Sequence, residues 1–168
     1  MILVALGANL PSPVHGAPVA TLTAALAALA DQGVEIVARS RWYQTAPVPA
    51  SNQPWYVNGV AIVSSKLTPA ALLTLLHATE ATFGRVRQAM NSPRLIDLDL
   101  LAYHDRVDPG RPVLPHPRLH ERAFVLLPLS DVAPEWRHPA TGADIATMLA
   151  GIGPEQETRL LVEGDGQP

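Results

Sequence analysis

The sequence contains no cysteine, which excludes a disulfide framework and thiolate chemistry and fits a reducing cytoplasm. Lysine is nearly missing too: Lys66 stands alone against eleven arginines, a bias that reads, with the abundant alanine, as composition more than function. No apolar run reaches the length of a membrane span, and Met1-Ile2-Leu3-Val4 begins without a basic segment, so a soluble cytoplasmic protein is expected, with no membrane partner. A net charge of −3 supplies no basic field to attract nucleic acid. There is no G-x-x-x-x-G-K-S/T, so a P-loop does not explain any nucleotide binding, and no serine sits in a nucleophile-elbow context. Internal repeats and linkers are missing as well. What is present, 168 residues with 48% hydrophobic and 16% charged, describes one globular domain. The domain is expected over 1–162, with a disordered tail over 163–168.

Read in order, residues 2–6 form a short buried strand that stops at Gly7-Ala8-Asn9. Val19, Leu22, Leu26 and Leu29 fall on helical spacing, ending near Gly33. Residues 34–37 alternate and continue towards Trp42-Tyr43 as a second strand; a loop over 45–54 and a third strand over 56–63 follow. Thr68-Pro69 supplies an N-cap hydroxyl and then proline at the first helical position, with Leu72, Leu73, Leu76 and Phe83 on one side and Gly84 at the end. Glu80 sits near that helix C-terminus, where the macrodipole disfavours an anion, which hints at another duty. A strand through Asp97, a hydrophobic run over 124–127 and a last helix over 145–149 complete the chain. The core order is strand, helix, strand, strand, helix, strand. That order predicts an α+β, ferredoxin-like (split βαβ) fold: an antiparallel sheet with both helices on one face, plus C-terminal additions.

The chemistry gathers around Pro93-Arg94-Leu95-Ile96-Asp97-Leu98-Asp99-Leu100-Leu101. On a strand, Ile96, Leu98 and Leu100 point one way, and Asp97 and Asp99 the other. The aliphatic content suits a strand at the centre of a sheet. Two adjacent carboxylates repel unless a cation relieves them, and oxygen-only ligands favour a hard ion such as Mg2+. A bare D-x-D fits a solvated edge strand equally well. Arg94 beside it, with Arg85 and Arg87 just before, turns the balance towards a polyphosphate site. His116 stands between Pro115 and Pro117, which fix where its imidazole points, and Arg118 and Arg122 add charge nearby. Asn58 shares a strand face with Tyr56, an amide beside an aromatic ring, which suits a flat heterocycle with polar edges. Taken singly, Tyr56 and Phe124 read as core aromatics. Residues 84–92 hold one sizeable apolar side chain, Met90, and arginines without acidic neighbours in sequence; they are expected to form a lid that an anion closes.

Together these motifs resemble one family. Leu6-Gly7-Ala8-Asn9-Leu10 resembles its L-G-S/A-N-L, and Tyr43-Gln44-Thr45 with Gln53-Pro54-Trp55-Tyr56-Val57-Asn58 resembles its Y-x-T and QPxYxN segments. Glu80, Gly84-Arg85-Val86-Arg87 and Pro93-Arg94-Leu95-Ile96-Asp97-Leu98-Asp99 resemble its E…GRxR…PRxxDxD core. Pro115-His116 through Arg122-Ala123-Phe124-Val125 resembles its closing PHxxxxxRxFV. Order and spacing agree from about residue 3 to residue 134. The family is 6-hydroxymethyl-7,8-dihydropterin pyrophosphokinase, an enzyme of folate synthesis. The resemblance implies transfer of the β,γ-pyrophosphoryl group of ATP to the hydroxymethyl oxygen of the dihydropterin, releasing AMP, by a monomer whose partners are those two substrates. It implies two Mg2+ ions held by Asp97 and Asp99, and phosphates engaged by Arg85, Arg87, Arg94, Arg122 and His116. It further implies His77, Glu80 and Arg111 on the ATP side. On the pterin side it implies Tyr56 and Phe124 as the enclosing rings, Asn58 reading the edge, Thr45 and Val48 as backbone partners, and Gly7. The chain departs from the pattern twice: the segment 88–93 lacks the tryptophan and glycine found in some relatives, and Ala46 stands where many members carry proline.

Two other classes fit the fold expectation. A non-catalytic ferredoxin-like module that binds a small ligand would not need paired aspartates with placed arginines. An RNA-binding domain would want aromatics within a basic face, against which the carboxylates and the net charge of −3 both argue.

Overall fold

The computed structural model describes residues 1–47, 50–85 and 93–162. In chain order the elements are β1 (Ile2–Ala8), α1 (Pro18–Asp31), β2 (Glu35–Arg39), β3 (Tyr43–Thr45), β4 (Tyr56–Ser64), α2 (Pro69–Thr82) and β5 (Asp97–Tyr103). A 3-10 turn at Leu119–Glu121, α3 (Ala123–Val132), α4 (Ile145–Ala150) and β6 (Thr158–Leu160) follow. The fold is α+β. Among the described residues the sheet is six-stranded, ordered β5-β1-β4-β3-β6 with β2 also beside β4, and every pairing of these strands is antiparallel.

Local chemistry explains the element boundaries. Pro18 opens α1, and Thr68 caps α2 by accepting from the Ala71 N–H at 3.3 Å. Gly84, at φ +84°, turns the chain out of α2 in a conformation that glycine adopts without strain. The strand alternation sorts side chains to two cores. Ile2, Val4 and Leu6 of β1 and Leu98 and Leu100 of β5 pack with Leu22, Leu26 and Leu29 of α1 and Leu72 and Leu76 of α2. On the other face Leu3, Val60 and Leu101 pack with Val125, Leu126 and Leu129 of α3 and Ile145 and Met148 of α4. The run over 124–127 is thus helical, and α1 and α2 share one face.

Two expectations are corrected. The stretch 34–43 is not one strand but two, β2 and β3, both paired with β4. Between them Ser40 takes over the ladder: its N–H donates to the Val60 carbonyl at 2.9 Å, and its hydroxyl accepts from the Val60 N–H at 3.0 Å. The Trp42 ring turns under Gly59, where a Cβ would stand 2.7 Å from it. Second, β5 is an edge strand, because β1 takes the central place between β4 and β5. Its outer edge is covered instead of paired. The Glu80 carboxylate of α2 accepts from the Leu98 N–H at 2.7 Å, and the His116 N–H donates to the Leu101 carbonyl at 2.7 Å.

Candidate active site

Where β1 ends and β4 and β5 begin, one row of the sheet runs Asp97, Gly7, Asn58, Tyr43. Beside it runs a second row, Asp99, Ala5, Val60. Strand alternation puts all these side chains on the α3 face. Glycine at position 7 leaves room for this amide, since a Cβ there would lie 2.9 Å from the Asn58 Oδ1. Asn58 is buried and donates through Nδ2 to the Thr45 Oγ1 at 2.8 Å, which aims its amide across the row.

The carboxylates of this row are held unequally. Asp97 pairs with Arg85 through Oδ1 at 2.6 Å and with Arg94 through Oδ2 at 2.6 Å. Arg85 pairs also with Glu80. The sequence-based view that this arginine lacks acidic partners is therefore corrected: the last turn of α2 brings Glu80 beneath it, and β5 brings Asp97. Likewise the charge of Asp97 is met here by the protein's own guanidinium groups. Among the described residues, the ion pair of Asp99 is a long one, 3.8 Å to Arg122. Burial pushes its carboxyl above the usual range and Asp97 adds to this, while His116 and Arg122 draw it back. Burial also holds the His116 imidazole below its ordinary value, against the pull of Asp99. The His116 Nδ1 accepts from the Arg118 N–H at 3.2 Å, which fixes the ring.

Glu80 is 1% exposed. Burial raises its carboxyl from 4.5 to about 6, against the lowering pull of the Leu98 N–H and Arg85. The Arg122 guanidinium lies 5.4 Å from the centre of the Phe124 ring, at the start of α3. Tyr56, half-buried, donates from its hydroxyl to the Gln53 Oε1 at 3.3 Å, and burial raises its phenol against the opposing charge of Arg94.

The structure thus brings Arg85, Arg94, Asp97, Asp99, His116, Arg122 and Glu80 together at the Gly7–Asn58–Thr45 row, with Tyr56 and Phe124 at its flanks. His77 is exposed on α2, one turn before Glu80. Arg111 is exposed after β5, and no hydrogen bond or ion pair ties it to this cluster among the described residues. Arg87, Val48 and most of the expected lid, 86–92, lie outside the described residues.

One site residue carries more than its motif suggests. Asn9 is 2% exposed; its Oδ1 accepts from the Arg94 N–H at 2.8 Å, and its Nδ2 donates to the Gln53 Oε1 at 3.3 Å and the Pro54 carbonyl at 3.2 Å. Its own N–H donates to the Arg94 carbonyl at 3.1 Å. The signal in the sequence is an asparagine closely following the glycine near the end of β1.

The donor set suits Mg2+. Asp97 and Asp99 offer oxygen only, from one strand face, and among the described residues no group of three His, Cys, Asp or Glu could hold a metal. A hard ion bound there takes a partial shell from the protein and completes it with water and substrate phosphate.

Residues 3–134 match the family model described as 7,8-dihydro-6-hydroxymethylpterin-pyrophosphokinase (HPPK). Among curated proteins, one from Pseudomonas aeruginosa is 38% identical over 161 residues, 95% of this chain and 96% of the relative. One from Synechocystis is 38% identical over 156 residues, 86% of this chain and 80% of the relative. A third, from Methylorubrum extorquens, is 44% identical over 107 residues, 63% and 68% of the two chains. All three are named 2-amino-4-hydroxy-6-hydroxymethyldihydropteridine pyrophosphokinase.

Proposed function

The chain belongs to the 7,8-dihydro-6-hydroxymethylpterin-pyrophosphokinase family, and we propose that it transfers a pyrophosphoryl group from ATP to 6-hydroxymethyl-7,8-dihydropterin in folate synthesis. The observation that carries this is the meeting of three guanidinium groups and two same-face carboxylates beside the Asn58–Thr45 pair.

In the reaction the hydroxymethyl oxygen bonds to the β-phosphorus, the bond from that phosphorus to the α–β bridging oxygen breaks, AMP leaves with that oxygen, and the hydroxyl proton is released. Asn58, with its amide aimed by Thr45, reads the pterin edge, and Tyr56 and Phe124 enclose the ring. Arg85 and Arg94 exchange Asp97 for substrate phosphates, and Arg122 and His116 close the same anion from the α3 side. Asn9 keeps the Arg94 backbone in place for that exchange. Two Mg2+ ions held by Asp97 and Asp99 would neutralise the triphosphate and acidify the attacking hydroxyl. His77, Glu80, Arg87 and Arg111 on the ATP side, and Gly7 and Val48 on the pterin side, complete the proposed site.

The strand order β5-β1-β4-β2, with α1 and α2 on one face, supports a ferredoxin-like core for this domain, read as a single unit over 1–162 that acts as a cytoplasmic monomer. No helix among the described residues is long and apolar enough to cross a membrane. The test mixes protein, ATP, Mg2+ and hydroxymethyl-dihydropterin and separates the products by chromatography. AMP and pterin diphosphate should form together only in the complete mixture. Binding without AMP would leave a non-catalytic ligand-binding module instead.

A further inference from the structure

Helix α3 starts at a residue poorly suited to start it. Its N-cap is Arg122, at φ −121° and ψ 109°, which makes no side-chain cap hydrogen bond. A guanidinium cannot accept from the first helical N–H groups, and a cation at this end opposes the macrodipole. The position serves the site, placing Arg122 3.8 Å from Asp99 and its guanidinium 5.4 Å from the Phe124 ring centre.

The missing cap arrives from the far end of the chain. The Gln156 Oε1 accepts from the Ala123 N–H at 2.9 Å, and its Nε2 donates to the Glu121 carbonyl at 2.8 Å. One planar amide therefore grips the backbone immediately before and immediately after Arg122. Gln156 is itself anchored: its N–H donates to the Gly153 carbonyl at 3.3 Å, and its carbonyl accepts from the Thr158 hydroxyl at 3.2 Å. The next residue bonds the opposite wall, with the Glu157 carbonyl accepting from the Ala46 N–H at 3.1 Å, and β6 then pairs with β3, Thr158 opposite Thr45. The segment spans from the Thr45 wall to the start of α3. All of it lies outside the matched span 3–134.

We infer that Gln156 is a positioning residue for catalysis, acting through Arg122. This rests on the reading that Arg122 engages the phosphates of ATP. Losing the amide frees the Arg122 backbone, so the guanidinium no longer waits where the triphosphate arrives.

The experiment is a double-mutant cycle with Gln156→Ala and Arg122→Ala, read as kcat and KM for ATP together with thermal unfolding. Gln156→Ala should lower kcat/KM for ATP about tenfold, the effect of about one hydrogen bond's worth of placement. The double variant should match Arg122→Ala alone, since a residue that acts through Arg122 has nothing left to position. Gln156→Met, which keeps the volume without the amide, serves if the alanine variant does not fold, and should show the same loss. Additive effects, or a lowered melting temperature with wild-type kcat and KM, would overturn the inference. Titration with a non-hydrolysable ATP analogue reads the same cycle without turnover. A wild-type protein that forms no AMP therefore sinks the functional reading while the cycle still decides the role of Gln156.

Discussion

On the face covered by α1 and α2, the strands are apolar from end to end. Ile2, Val4 and Leu6 of β1, Val57, Ala61 and Val63 of β4, and Leu98 and Leu100 of β5 are all buried. On the opposite face the same three strands change character halfway. Leu3, Val60 and Leu101 lie under α3, and then the rows turn to Gly7, Asn58, Asp97 and Asp99 among three arginines. The alternation of a strand lets one segment serve both purposes: every second residue holds the fold, and those between are released for chemistry. The two faces should therefore respond differently to substitution.

The largest contrast is expected at the aspartates. Asp97→Asn and Asp99→Asn should each cut turnover by roughly 10³-fold or more, the scale of losing a preorganised electrostatic partner. Their stabilities should part company. Asp97→Asn takes from Arg94 and Arg85 a carboxylate that each pairs with at 2.6 Å and should cost about 1–3 kcal/mol, whereas Asp99→Asn removes a half-buried carboxyl that has a long contact to Arg122 and should leave the fold unharmed or slightly firmer. Steady-state assays at saturating Mg2+ and urea unfolding check both; wild-type turnover in either variant would remove the metal assignment.

Next comes the apolar face. Leu76 is fully buried under the sheet, so Leu76→Ala should cost about 2–5 kcal/mol in urea unfolding, while the folded fraction keeps its kcat. A drop in kcat per folded molecule would show that the two faces are not independent.

Tyr56→Ala and Phe124→Ala probe the boundary between the faces. Each should weaken pterin binding by about 1–3 kcal/mol, by analogy with base–aromatic stacking, and ATP binding far less. Paired calorimetric titrations decide; equal losses for both ligands would return the rings to the core.

The smallest effect concerns Glu80, which reaches the site from the apolar side. Its carboxyl is raised by burial from 4.5 to about 6. A raised carboxyl favours the folded state when protonated, so its contribution is present below pH 4.5 and is lost as pH climbs through about 6. Relative to Glu80→Gln, the wild type should lose roughly 2 kcal/mol over that window. Unfolding curves across it test the sign. A wild type that gains on the glutamine variant would mean that the Arg85 pair outweighs burial.

How much of this is legible in the chain alone depends on the range of each interaction. The caps of α2, the periodicity of α1 and the shared face of Asp97 and Asp99 are local patterns, set within a few residues, and the sequence shows them. The division of 34–43 into β2 and β3 depends on a hydroxyl at Ser40 meeting Val60, which no local pattern records. The chain in 124–127 carries no helical signal strong enough to name it, and Pro128 within α3 argues against one.

Local patterning along the chain thus carries the alternation that separates core from site, the helix starts and stops, and the motif spacing that marks the family. The rest came with the folded arrangement. It put β5 at the edge with Glu80 sealing it, and set Arg85 and Arg94 on Asp97 while Asp99, among the described residues, meets Arg122 at 3.8 Å. It joined Asn9 to Arg94 across 85 positions and Gln156 to Ala123 across 33. The physical reason is that backbone geometry assigns each side chain to a face within a few residues. Which charges and amides meet on that face depends on how distant segments close, through contacts whose partners lie far along the chain.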